Sequence, residues 1–344
     1  MCEGSDAVRP CYDSGGPPKR PRQGNEEDVA LSTLIQQMVN GITLGGMYAL
    51  IALGYTLVYG IMLMINFAHS EMFMAGAYVG LFTLEGLINP KLIGAGTVTF
   101  FTKSGFGLVL LFIIVFLVAG IAVGLLGVVI ERTAYRPLRN APRLAPLISA
   151  IGVSIFLQNA VLLWVDSKAL PFPQVFPIVN IKIFGNASIS TLQIFILVSV
   201  VLILIVLDTF VGKTRIGKAM RATSQDRDAA GLMGVNINTV IALAFFIGPA
   251  LGAVAGIFNG MYYGTVNWNM GFLPGIKSFT AAVIGGIGNL RGAMLGGFVL
   301  GIVESLAAGF LSTGYKDVVA FVILILVLIF RPGGLLGESV VEKV

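Results

Sequence analysis

Charge is scarce in this chain. Only 11% of its 344 residues are Asp, Glu, Lys or Arg, where a soluble domain carries about 25%. Cysteine is scarcer still: Cys2 and Cys11 are the only two, both near the start, so no disulfide framework staples the core. The single histidine, His69, excludes multi-histidine zinc arrangements. Nor is there a nucleotide-binding loop. The "GKT" at Gly212, Lys213 and Thr214 would need a glycine at 207, where Leu207 stands, and a strand before it rather than an apolar helix. With no Cys, His or carboxylate constellation in view, no catalytic residue, metal site or cofactor is expected. The formal charge of +5 fits basic loops at a membrane face and gives no reason to expect a nucleic-acid partner.

What the chain has instead is hydrocarbon. It is 56% hydrophobic, with apolar runs near the roughly 20 residues that cross a bilayer as a helix. Lipid offers no hydrogen-bond partner to an open strand edge, so the spans are expected to be helices. The fold class is an all-α polytopic membrane bundle of about eight to ten membrane elements. The apolar segments fall at 31–65, 67–87, 106–130, 147–165, 191–211, 239–263, 279–287, 293–311 and 318–330. The first is long enough to be two short helices joined near Gly54, and 279–287 is short enough to be a broken or re-entrant element. Residues 1–30 are polar and rich in Pro and Gly, too poor in apolar side chains to join a core. They read as a disordered or non-native extension to a membrane domain spanning 31–344.

Arginine collects on cytoplasmic faces. Arg132, Arg136, Arg139 and Arg143 share one loop, and Lys19, Arg20 and Arg22 open the chain. Setting that loop inside also puts Arg291 and the "RPGGLLG" tail inside, so the C-terminus is cytoplasmic. Lys91, Lys103, Lys168, Lys182, Lys277 and Lys316 are then left outside. The N-terminus falls inside if 31–65 makes two spans and outside if it makes one; its own basic residues favour inside.

Glycine is the expected packing device. Gly248, Gly252, Gly256, Gly260 and Gly264 recur every fourth residue, which lines them along one helix face. In lipid, helices associate through close backbone contact at such small residues. Gly288, Gly292 and Gly296, then Gly297, Gly301 and Gly309, form a second series. The seams serve either static packing or sliding. Few charges lie within the apolar segments; Glu304 is deep enough to need a buried partner. "NAS" at Asn186 matches a glycosylation pattern too short to carry weight.

One stretch, 212–238, is out of character, with Lys213, Arg215, Lys218, Arg221, Asp226, Arg227 and Asp228 between two greasy segments. It reads as a short amphipathic helix on the cytoplasmic face. Ser224 is a candidate cap, the aspartates sit early in the helix as its dipole prefers, and Gly234 ends it. Within it, "DAAGLMG" (Asp228, Ala229, Ala230, Gly234) resembles the acidic-Ala-Ala-x-x-x-Gly loop of binding-protein-dependent ABC importer permeases. In those proteins this loop docks on a cytoplasmic ATPase. Further stretches, among them "QQMVNGITLGGMYALIALGYTLVYGI", "INFAHSEMFMAGAY", "ERTAYRPLR", "FTAAVIGGIGNLRGAMLGG" and "RPGGLLG", resemble the LivH-type permeases of bacterial branched-chain amino acid import over essentially 31–344. Ser70 stands where "NFAHGE" has glycine.

The resemblance implies a multi-pass protein of the bacterial inner membrane that carries leucine, isoleucine or valine by alternating access. It implies two cytoplasmic ATPase subunits, a homologous LivM-type second permease and an extracytoplasmic solute-binding protein. Arg221, Asp226, Asp228, Ala229, Ala230 and Gly234 would form the ATPase-coupling loop. Asn66, His69, Asn259, Tyr262 and Asn267 are candidates for the translocation path. Related permeases for urea and short amides share the layout, and Phe67 leans toward amino acids. A self-sufficient secondary transporter, needing acidic residues at midplane, and a membrane enzyme are the competing readings.

Overall fold

The computed structural model describes residues 26–337, apart from 95–97, 102–103, 140, 143, 166, 176 and 332. Cys2, Cys11, Lys19, Arg20, Arg22, Lys103 and Arg143 lie outside the described residues. Among those described, eight helices are long and apolar enough to cross a membrane, with one shorter apolar helix besides. This is the expected polytopic helical bundle.

The first helix, α1 (Glu26–Met62), runs unbroken through Gly54. It is one helix and not two, because close packing on both sides of Gly54 holds the glycine helical. At 37 residues it is about 55 Å long, well beyond the ~30 Å hydrocarbon core. Residues 26–30, expected to belong to an unstructured tail, are its first turn and more. The other long helices are α2 (His69–Ile88), α3 (Gly105–Ile130), α4 (Leu144–Trp164) and α5 (Thr191–Lys213). Two short helices follow, α6 (Arg215–Gln225) and α7 (Arg227–Leu232), then α8 (Ile237–Tyr263), the short α9 (Phe272–Gly285), α10 (Leu290–Phe310) and α11 (Lys316–Phe330). The arginine loop after α3 continues as a π-turn over Glu131–Tyr135 and a 3₁₀ turn over Arg136–Leu138.

Local chemistry sets the boundaries. Ser190 and Gln193 form a reciprocal capping box that starts α5. Asn236 caps α8 by accepting from the Thr239 N–H, and Asn289 caps α10 from Arg291 and Gly292. Two small antiparallel pairs, 170–171 with 265–266 and 180–184 with 187–190, tie loops at one end of the bundle. Asn186 sits in the turn of the second pair.

α1 is the core, with its stretch from Met47 to Leu53 buried throughout. α4 and α11 lie at the periphery, with most of their apolar side chains facing outward, as hydrocarbon allows. The glycines act at the crossings. A Cβ on Gly301 would overlap the Gly45 backbone of α1, and one on Gly297 would meet Ala49. On α8, a Cβ at Gly256 would overlap the Phe73 carbonyl, one at Gly260 would meet the Phe172 ring, and Gly248 packs on Gly54. Gly252 faces His69. Gly264 departs from the expected series: it is left-handed, φ 70°, and ends α8 as its cap. Gly288 likewise serves a turn, at φ 98°.

The single α1 changes the parity of the path. The Arg227 guanidinium donates to the Ile61 carbonyl at the last turn of α1, whereas Ser188 N donates to Gln36 near its start. Ser188 and Arg227 are separated by the whole of α5. The beginning of α1 therefore lies at the end of the bundle opposite to the 212–238 stretch, not beside it as the basic opening residues suggested. The tail returns to the insert's end, where Leu335 and Leu336 donate to the carbonyls of Ile284 and Gly285.

Candidate functional site

The 212–238 stretch forms two helices rather than one. Asp226 breaks them apart: its backbone is extended and its carboxylate accepts from the Ala229 N–H, capping α7. Ser224 does not cap α7; its hydroxyl donates back to the Arg221 carbonyl. Gly234 adopts φ 83°, the left-handed conformation that closes a helix. Only Ala230 of α7 is buried, while Leu232 and Met233 stand 91% and 85% exposed. Two large apolar side chains thus project beyond the polar end of the bundle. Arg221, Asp226, Asp228, Ala229 and Gly234 are exposed as well, and Arg221 donates to the Gly212 carbonyl.

Two arginines anchor this insert. Arg227 holds the end of α1, as above; partial burial and the neighbouring Arg139 push its pKa below the usual guanidinium range. Arg139 pairs with buried Glu131 and donates to Asn238 at 2.6 Å. The insert is thereby fastened to α1, α3 and α8 together.

At the other end lies a cavity of about 300 Å³. α8 starts beside the insert, is 27 residues long and so spans about 40 Å; its last turn lines the cavity. α9 contributes the unexpected residue. Lys277, assigned by the sequence to an outer loop, is 4% exposed inside α9. The helix starts seven residues before the apolar run at 279, since Gly271 and Gly275 let it pack on Ser70. Lys277 Nζ donates to Glu304 Oε1 at 2.7 Å and meets Asp317 Oδ1 at 2.5 Å. Tyr48 donates its hydroxyl to Glu304 Oε2 at 2.9 Å. Glu304 has its buried partner, as its depth required.

Of the candidates for a path, Asn259 and Asn267 line this cavity; Asn66, His69 and Tyr262 do not. Asn66 accepts from the buried Tyr135 hydroxyl at 2.6 Å. His69 is fully buried, its ring 4.7 Å from that of Tyr55. Tyr262 stands edge-on to Tyr263 at 5.1 Å, and it is Tyr263 that reaches the cavity. Tyr48, Tyr263, Lys277 and Asp317 were missed. Only the need to pair Glu304 signalled them, because apolar periodicity does not say which helices meet. Beside α9, Glu71 accepts from Ser154 at 3.0 Å and Gln158 at 2.8 Å, tying α2 to α4.

A bundle of eight apolar spans with a polar cavity at one end and a helical insert at the other has the build of a polytopic membrane permease. The chain belongs to the family described as the permease component of the branched-chain amino acid transport system, which it matches over residues 37–328. It is 49% identical to the high-affinity branched-chain amino acid transport system permease protein BraD of Pseudomonas aeruginosa, over 90% of this chain and 98% of that one. It is 47% identical to LivH of Escherichia coli, over 90% and 97%. To a probable branched-chain amino acid transport permease protein LivH of Methanocaldococcus jannaschii it is 28% identical, over 90% and 95%. No solved structure matches.

Proposed function

We propose that this chain is one membrane subunit of an ABC importer that carries leucine, isoleucine or valine across the bacterial inner membrane. A homologous second permease completes the pathway, an extracytoplasmic binding protein delivers the substrate, and of the two ATPase subunits one docks on the 221–234 loop of this chain. The observation that carries the reading is the exposure of Leu232 and Met233 beyond the bundle. A contiguous apolar tip of that kind in water marks a protein contact. The insert then faces the cytoplasm, and so does the tail; the start of α1 and the cavity face outward.

In this arrangement ATP-driven closure moves α6 and α7, and the arginine anchors pass the displacement to α1, α3 and α8. Hydrolysis in this arrangement is supplied by the ATPase subunits. Reconstitution tests the reading. Vesicles holding the permease pair, the ATPases and the binding protein should take up leucine only with ATP. Leucine uptake by this chain alone, without ATP, would sink it. A panel of leucine, isoleucine, valine and urea against the binding protein decides the cargo: preference for urea moves the assignment to the amide importers.

A further inference from the structure

The outer cavity holds more hydrogen-bonding capacity than a structural ion pair uses. Lys277 and Glu304 carry side chains only 5% and 4% exposed, and both line it with Asp317. An ammonium has three donors; Glu304 accepts one, and Asp317 Oδ1 sits at ion-pair distance without an aligned hydrogen bond, so at least one donor is left. Asn267 Oδ1, in the same lining, is buried and has no partner. An unmet buried acceptor is costly, and a ligand donor would relieve it. Lys316 lines the cavity as well, so its two lysines balance Glu304 and Asp317 in charge, as a guest without net charge requires. The same lining includes the apolar side chains of Met47, Ile51, Phe73 and Leu273. A volume of about 300 Å³ lies at the small end for pockets that enclose a ligand.

We infer that this cavity is a binding site, within the permease itself, for a zwitterionic aliphatic α-amino acid. The ligand ammonium is received by Asp317 and Asn267 Oδ1, its carboxylate by a remaining N–H of Lys277, and its side chain by the apolar part of the lining. Charged groups inside a membrane protein pair with one another or mark a substrate path; here the pairing is incomplete by one acceptor and one donor, and an amino acid supplies both. The inference rests on the importer reading and adds where the cargo sits after leaving the binding protein.

The complete transporter, in detergent and without its binding protein, is photolabelled with a leucine analogue carrying a diazirine in the side chain. Adducts are expected in peptides containing 44–51 or 270–277, and excess L-leucine should remove them. Leucinamide, which lacks the carboxylate, and 4-methylpentanoate, which lacks the ammonium, should compete at least about tenfold less well, as a site built for both charges requires. Asp317→Asn and Asn267→Leu should each weaken competable labelling about tenfold. Should Asp317→Asn fail to assemble, Asn267→Leu decides alone, since that residue is only half-buried. Equal competition by all three compounds, leucine-sensitive adducts elsewhere, or none in a complex that imports leucine would each overturn the cavity assignment. A complex that assembles yet imports no leucine would overturn the importer reading instead.

Discussion

A lysine and a glutamate taken out of water each lose hydration that only close pairing restores. Lys277 and Glu304 meet that demand at 2.7 Å, and removing one partner strands the other. Lys277→Met should therefore destabilise the protein by about 3–5 kcal/mol. Lys277→Met with Glu304→Met should recover part of the loss, because the stranded charge is gone. Thermal unfolding in detergent compares the two, and equal midpoints would mean the pair contributes nothing. The glycines offer a sharper contrast. Gly301→Ala would press a methyl into the Gly45 backbone, where neither helix backbone can yield, and should disrupt the α1–α10 crossing and the yield of folded protein. Gly152 meets nothing within 4 Å, so Gly152→Ala should be neutral or gain up to about 1 kcal/mol in helix propensity. If both behave alike, close backbone contact is not what holds these helices.

At the scale of elements, the insert is a pair of helices hinged at Asp226 and closed at Gly234. A bulky residue at φ 83° is strained by about 1–3 kcal/mol. Gly234→Trp should thus abolish ATP-driven uptake while the protein still inserts in the membrane; full uptake would remove the docking role. Arg227→Ala tests transmission separately. It deletes the guanidinium that grips the Ile61 carbonyl at 2.7 Å, leaving the apolar tip in place. ATPase binding should persist while leucine carried per ATP hydrolysed falls severalfold, measured in vesicles; an unchanged ratio would place the coupling route elsewhere. The motif "DAAGLMG" made this element visible in advance. Its division into α6 and α7 was not visible, since Asp226 is equally at home within the first turn of one helix and as the cap of a second.

For the molecule as a whole, the path of the chain predicts sidedness. With Cys2 and Cys11 replaced by serine, Leu232→Cys should react with an impermeant maleimide only from the cytoplasmic side. Ile183→Cys, on the hairpin at the far end and 52% exposed, should react only from outside. Labelling of both from one side would invert or break the proposed topology. The basic residues before α1 pointed to the wrong end of the bundle for its start. The positive-inside tendency weighs charge near a span but cannot count spans, and the count turned on whether Gly54 interrupts a helix.

Length and polarity decided the class of the molecule without help from the fold. A chain this poor in charge, with repeated apolar runs, can satisfy its backbone in lipid only as helices, and eight of the nine expected segments correspond to single helices with ends shifted by a few residues. Those properties are local, and hydropathy reads them directly. The site is not local. Tyr48, Asn267, Lys277, Glu304 and Asp317 come from α1, the loop before α9, α9, α10 and α11, and tertiary packing brings them around one cavity, with glycines setting the crossings of α10 with α1 and α9. A lysine two residues from an apolar run looks like a loop residue until the helix that buries it, and the carboxylate that pays for its burial, are seen in three dimensions.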